Sequence, residues 1–248
     1  MITRVLSVGL LAGLLAGLLV SAVQHFTATP LILAAEQYET ASRALSPDRF
    51  ASEDGVARLI LVHNVHDHAE GGDEAGWQPA DGFERTFYTG VTTVATAIGF
   101  AFLLLAGLLM ADVRIDENQA LGWAAAGFVA TGLAPALGLA PELPGMQAAD
   151  LLARQAWWLA TAAATAVALW LFFRSDNLLL KAAAVVLIIA PHVIGAPHPH
   201  DLAPSRVPAE LAARFAATSL VTHALLWALT GWIAGRLWQR GEAPSSAS

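Results

Sequence analysis

The chain of 248 residues is 56% hydrophobic and only 13% charged, with a formal net charge of −7 and no cysteine. A soluble domain carries about 25% charged residues, so this is the composition of an integral membrane protein. It excludes a disordered chain, a nucleic-acid binder with a basic face and a small secreted disulfide scaffold. Without cysteine there is no disulfide, thiolate metal site, iron–sulfur ligand or cysteine nucleophile, and the compartment must be read from topology.

A membrane span needs about 20 mostly apolar residues at about 1.5 Å each. Segments 2–23, 86–111, 119–139, 155–173, 178–194 and 211–237 meet or approach this. The first carries only Arg4, near its start, and repeats Gly9-x3-Gly13-x3-Gly17, which puts three glycines on one helix face for close packing. It has the basic start and small residues of a secretory signal, but its apolar run is longer, and we expect it to be retained. Segment 178–194 is short and carries Lys181 near one end; it reads as a span or as a re-entrant segment. The expected fold class is therefore all-α: a polytopic membrane helix bundle of about six transmembrane helices surrounded by lipid.

Orientation follows from Lys and Arg in short segments. With the N-terminus inside, the inner segments hold Arg4, Arg114, Arg174, Lys181, Arg236 and Arg240, and the short outer ones only Arg154, Arg206 and Arg214. Both termini are thus expected in the cytoplasm. Residues 1–240 read as one integral membrane domain with an outer acidic, His-rich loop over 24–85, and 241–248 as a disordered tail. The 24–85 segment holds eleven acids and four arginines, a net of −7, so the rest of the chain is formally neutral. An acidic outer face concentrates cations before any specific contact forms.

The histidines follow the same asymmetry. The stretch His63-Asn-Val-His66-Asp67-His68-Ala-Glu70 offers two or three ligands whether helical or extended. Imidazole suits cobalt, nickel, zinc and copper, and carboxylates widen the range towards hard ions. A second cluster, Pro191-His192-Val-Ile-Gly195-Ala-Pro197-His198-Pro199-His200-Asp201, is a rigid turn closing a helix, because proline fixes φ and removes an amide donor. His192 is its best ligand, being closest to the membrane. His223 falls in the middle of the last span, where an ionisable group is costly and faces the protein interior or a wet path. It reads as a relay ligand or proton acceptor, or equally as a neutral imidazole hydrogen-bonded to a neighbouring helix. The expected metal contacts are His63, His66, His68, His192, His198, His200 and His223.

Two patterns recur. Ala80-Asp81, Ala149-Asp150 and Ala209-Glu210 each stand four residues before an arginine, namely Arg85, Arg154 and Arg214, at the start of a helix. Such an acid complements the helix N-terminus and can pair with the arginine one turn on. Ala134-Pro135-x4-Ala140-Pro141-Glu142 matches Ala190-Pro191-x4-Ala196-Pro197-His198. Together they suggest repeated helix hairpins in parallel orientation, an architecture known in transporters. The hairpins 119–173 and 178–237 are expected to superpose in the same chain direction, with Arg154 approaching Asp150 and Arg214 approaching Glu210.

The Gly-rich first span leading into Gln24-His25 resembles the CbtA family of predicted cobalt transporter subunits. So do Trp77-Gln-Pro-Ala-Asp-Gly-Phe-Glu-Arg-Thr86, Ala134-Pro-Ala-Leu-Gly-Leu-Ala-Pro-Glu-Leu-Pro-Gly145, Ala149-Asp-Leu-Leu-Ala-Arg-Gln-Ala-Trp-Trp158 and Pro191-His192-x2-Gly-Ala-Pro197. The resemblance runs over nearly the whole chain. It implies a bacterial integral membrane protein linked to cobalt supply for cobalamin synthesis, with a small single-span CbtB-type subunit as partner. It carries over no catalytic residue.

Three functions compete. The first is uptake of a divalent transition-metal ion, with Co²⁺ as the transported ion and no firmly assigned cofactor. The second is a non-transporting membrane subunit that binds a partner or metallochaperone through its outer loop. The third, a membrane enzyme, is not expected: the chain lacks His-Glu-x2-His, Gly-x-Ser-x-Gly and an intramembrane acid pair. There is no Gly-x4-Gly-Lys-Ser/Thr stretch, so energy comes from a partner, an ion gradient or the membrane potential.

Overall fold

A computed structural model of the chain describes residues 1–44, 79–80, 82–199 and 205–241. Among the described residues all regular structure is helical. In chain order the elements are α1 (Ile2–Ala44), α2 (Phe83–Met110), α3 (Glu117–Phe128), a π-helical turn (Val129–Leu133), α4 (Ala134–Ala136), α5 (Leu151–Arg174), α6 (Leu178–Ile194) and α7 (Ala209–Arg240). Among the described residues four helices are long and apolar enough to cross a bilayer: α1 over Ile2–Tyr38, α2, α5 and α7, with α6 a shorter apolar helix of 17 residues. The expected third span is helical over 117–136 but interrupted by the π turn. Pro135 has no amide hydrogen to give the carbonyl of Thr131. The ladder adjusts with a wider bond from the Ala134 amide to the Val129 carbonyl.

α1, α2, α3 and α7 share one core. Val8, Ala12, Ala16 and Val20 of α1 are buried in it with Ala97, Ala101, Leu105 and Leu108 of α2. In lipid there is no hydrophobic gain in joining two apolar helices, so van der Waals contact decides, and contact is closest where side chains are smallest. The glycine repeat of α1 meets this demand. A Cβ on Gly13 would lie 2.3 Å from the Cα of Ile98, and one on Gly17 2.6 Å from the Cα of Val94. α7 repeats the device against α3, where a Cβ on Gly231 would stand 2.6 Å from that of Ala124 and one on Gly235 2.7 Å from the Asp116 carbonyl.

The first helix differs from expectation at its far end. It was expected to give way to a loop after residue 23, but it continues to Ala44 through Pro30. At about 1.5 Å per residue its 43 residues reach about 64 Å, twice a hydrocarbon core of about 30 Å. The added turns are held by tertiary contacts that periodicity within a span does not report. Thr93 donates to the Gln24 side chain at 2.9 Å, Arg85 donates in a fork to Glu36, and Ala35 packs in a second small core with Leu143 and Val207.

The hairpin expectation is also changed. α6 packs against α5, whereas α7 packs against α1, α2, α3 and the π turn, so the consecutive α6 and α7 do not form a packed pair. The acid–arginine motif is half realised. Asp150 caps α5 by accepting from the Ala153 amide at 2.9 Å, but Arg154 pairs with Glu142 at 2.7 Å rather than with Asp150. A capping carboxylate is turned towards the helix end, which leaves the arginine to a more distant acid. Arg85 likewise pairs with Glu36; Asp81 lies outside the described residues. Glu210 stands in the first turn of α7, and among the described ion pairs none joins it to Arg214.

Candidate functional site

The two Ala-Pro patterns converge on one crevice. After each first proline the chain makes the same backbone bond, Leu139 amide to Pro135 carbonyl at 2.8 Å and Gly195 amide to Pro191 carbonyl at 3.0 Å. Gly195 then leaves its helix at φ +91°, a conformation open to glycine. The two exits bring Glu142 and His198, the residues at matched places in the repeat, to the wall of a single crevice of about 300 Å³. Gly138 and the small face of α7 at Ala212 and Ala216 complete the wall. Glu142 is held by Arg154, and the two side chains are only 23% and 28% exposed. The crevice thus joins an imidazole and a carboxylate that carries its own internal cation.

Beside the crevice, the Trp157 ring lies over Gly138, where a Cβ would be 2.4 Å from Cη2 of that ring. The His192 ring packs edge-on against Trp157 with centroids 5.9 Å apart. The Nε2 of His192 and the indole nitrogen of Trp157 are both buried and, among the described residues, neither has a hydrogen-bond partner.

Deeper along α7 lies a third group. Thr131, on the π turn, donates to the Gly127 carbonyl at 2.8 Å, and its Oγ1 stands 3.1 Å from Nε2 of His223. The Trp227 indole donates both to that Oγ1, at 3.0 Å, and to Nε2 of His223, at 3.1 Å. Phe100 stacks on Trp227 at 4.6 Å, and the indole fits because residue 127 is glycine. An indole N–H can only donate, so Trp227 is the donor in both of these contacts. His223 is thus bonded within its own helix by Trp227 and lies within hydrogen-bond distance of Thr131 on the neighbouring helical run.

His192, His198 and His223 thus lie at or below one end of the bundle, but in three separate surroundings. Among the described residues no three His, Asp or Glu side chains converge as a metal centre. His63, His66, His68 and His200 lie outside the described residues. Sequence reasoning missed Glu142, Trp157, Thr131 and Trp227. For Glu142 the signal was present, since it occupies the place of His198 in the repeated pattern. For Trp227 there was the i, i+4 spacing from His223.

Long apolar helices, glycine-mediated packing and polar groups confined between helices define a polytopic α-helical membrane protein. A family model described as "Probable cobalt transporter subunit (CbtA)" matches residues 2–239. The chain belongs to the CbtA family. A search of curated proteins and a search of solved structures give no match.

Proposed function

We propose that the chain is the membrane subunit for uptake of a divalent transition-metal ion, cobalt destined for cobalamin synthesis, acting with a small single-span CbtB-type partner. The observation that carries this is the family match over residues 2–239. The crevice supports it: the imidazole of His198 and the carboxylate of Glu142 both belong to residues that line its wall. His63, His66 and His68 of the acidic segment and His200 act as capture ligands, with His198 and His192 at the entrance and His223 within. His imidazole binds Co²⁺ as readily as acidic oxygens bind harder ions, which fits a transition-metal cargo.

In this reading the crevice faces outside and both termini are cytoplasmic in the bacterial inner membrane. Cysteines introduced at Ser52 and Ser245 of this cysteine-free chain test the orientation with an impermeant thiol reagent. Labelling of Ser52→Cys alone in cells whose inner membrane is exposed is expected, and equal labelling of both rejects it. Uptake of Co²⁺ into vesicles with and without the single-span partner tests the function. Co²⁺ binding without uptake under either condition would leave the chain a non-transporting subunit.

A further inference from the structure

Resting on that reading, the crevice has beside it an arginine with two acids in reach. Glu142 and His198 are the titratable residues of its wall. Arg154 Nη2 stands 2.7 Å from Glu142 Oε2, and both side chains are mostly covered. The Nε of Arg154 is buried without a hydrogen-bond partner among the described residues, so the guanidinium is held by the charge of Glu142 and not locked on every side. Arg154 lies in the first turn of α5, whose N-cap is Asp150. Long side chains on a helix point back towards its N-terminus, and a residue four positions earlier is a neighbour on the same face. Asp150 commits Oδ1 to the Ala153 amide at 2.9 Å, which leaves its other carboxylate oxygen to take a cation. Asp150 is exposed and directly follows Ala149 of the crevice wall.

We propose that Arg154 is a counter-ion with two positions, and that a divalent transition-metal cation binding at the crevice wall displaces it from Glu142 to Asp150. The guanidinium holds the charge position on Glu142 that a metal ion must take. A dication and a guanidinium on one carboxylate repel each other, and a second acid one helical turn away gives the arginine a place to go. The ion then gains a carboxylate and the His198 imidazole, a pair suited to Co²⁺, Ni²⁺ and Zn²⁺, with water completing its coordination. A monovalent cation only equals the charge that the arginine already supplies, so the exchange favours dications. Because the ion works against a tethered competitor, it binds without being trapped, as a transported ion must. The acid–arginine spacing at the start of α5 therefore serves the site as well as the helix end.

Calorimetric titration of the purified full-length chain with Co²⁺ at constant ionic strength tests this. Glu142→Gln keeps the shape of the wall and should lose one class of Co²⁺ site. Arg154→Met removes the competitor and should tighten that class by about 5- to 30-fold, between the worth of an exposed and of a buried ion pair. Asp150→Asn keeps a helix cap but removes the second acid, and should weaken the same class by about 2- to 5-fold, the worth of an exposed pair. In the Arg154→Met background Asp150→Asn should change nothing, because no arginine is left to receive. Equal weakening by Asp150→Asn with and without Arg154 would make Asp150 a fixed charge and overturn the exchange. So would Co²⁺ binding that is identical in wild type, Glu142→Gln and Arg154→Met, and the uptake reading would survive either result. A wild type that binds no Co²⁺ at all overturns the uptake reading as well. If Arg154→Met does not fold, Arg154→Gln supplies the same neutral background while keeping a donor for Glu142.

Discussion

The four-helix core of α1, α2, α3 and α7 and the α5–α6 hairpin bury their helices by different means. In the core, glycines and alanines bring backbones together, and polar side chains are mostly spoken for, the buried Thr230 hydroxyl being an exception. Thr222 donates to the Thr218 and Ser219 carbonyls, and Thr131, His223 and Trp227 satisfy one another. In the hairpin, α6 has α5 as its helical neighbour. At their junction and just beyond it the Trp157 indole, the hydroxyls of Thr161 and Thr165 and the His192 imidazole are buried without partners among the described residues. A polar group buried without a partner costs about 1–3 kcal/mol by mutational measures. Among the described residues the hairpin thus leaves more buried donors and acceptors uncommitted than the core does. A scaffold and a receptive wall are the two parts that a site for a transported ion requires.

The largest effect should come from violating the core's spacing. Gly13→Leu has no room, since even its Cβ would fall 2.3 Å from the Cα of Ile98, which is backbone and cannot rotate away. Separation of α1 from α2 should cost more than about 3 kcal/mol, at the upper end of overpacking penalties, and the variant should not survive extraction as a folded species. Size-exclusion profile and thermal unfolding in detergent check this. A stable, monodisperse Gly13→Leu protein would show that the glycine stripe is composition and not contact.

Next in size is the crevice wall, where the comparison can be broken from the other side. Arg154→Met leaves Glu142 without its partner. The pair is about three-quarters covered, so its loss should cost about 1–3 kcal/mol, between an exposed pair and a fully buried one. The same variant removes the internal cation from Glu142, and Co²⁺ binding to the full-length chain should strengthen at low salt. Unchanged stability together with unchanged Co²⁺ affinity would mean that the carboxylate plays no part in the crevice.

These contrasts also mark what the sequence made legible. Among the described residues apolar length located the long helices, and Gly9, Gly13 and Gly17 announced a close-packing face on α1 without naming its partner, because both signals are local. The continuation of α1 past residue 23 was hidden because its supports, Thr93, Arg85, Leu143 and Val207, are remote in sequence. The arginine partners were misread for the same reason: the nearest acid in the chain, Asp150, was already used as a helix cap. At the site, His192, His198 and His223 stood out by residue type. The Trp227–His223 bond is an i, i+4 contact within α7, but Thr131, which both approach, stands on a π turn set by Pro135 that no periodicity within α7 contains.

A smaller effect separates uncommitted hydroxyls from bonded ones. Thr161→Val and Thr165→Val keep shape and remove an oxygen that has no partner among the described residues, so each should be neutral or stabilising by up to about 1 kcal/mol. Thr131→Val removes an oxygen with three polar neighbours and should instead destabilise by about 1 kcal/mol. Opposite signs in thermal unfolding would sharpen the distinction between hairpin and core. Equal losses would mean that the hairpin hydroxyls are bonded in the working protein.

The smallest effect tests whether position or residue type gives the core its rigidity. Gly122 lies in α3, the helix whose Ala120 and Ala124 meet Gly231 of α7, yet a Cβ at Gly122 would meet nothing within 4 Å. Glycine in a helix interior is worse than alanine by about 0.5–1 kcal/mol, because the unfolded chain loses more freedom on ordering. Gly122→Ala should therefore stabilise by about that amount, while Gly231→Ala, one α-helical contact away across the interface, should destabilise, since its Cβ would press 2.6 Å from that of Ala124 and 2.8 Å from the Ala120 carbonyl. The two variants are the same chemical change on two helices that touch. If both shift the unfolding midpoint in one direction, glycine acts through propensity alone. If they shift it in opposite directions, the core is held by contact at particular faces, and a fixed α3–α7 interface is what keeps Thr131 opposite His223.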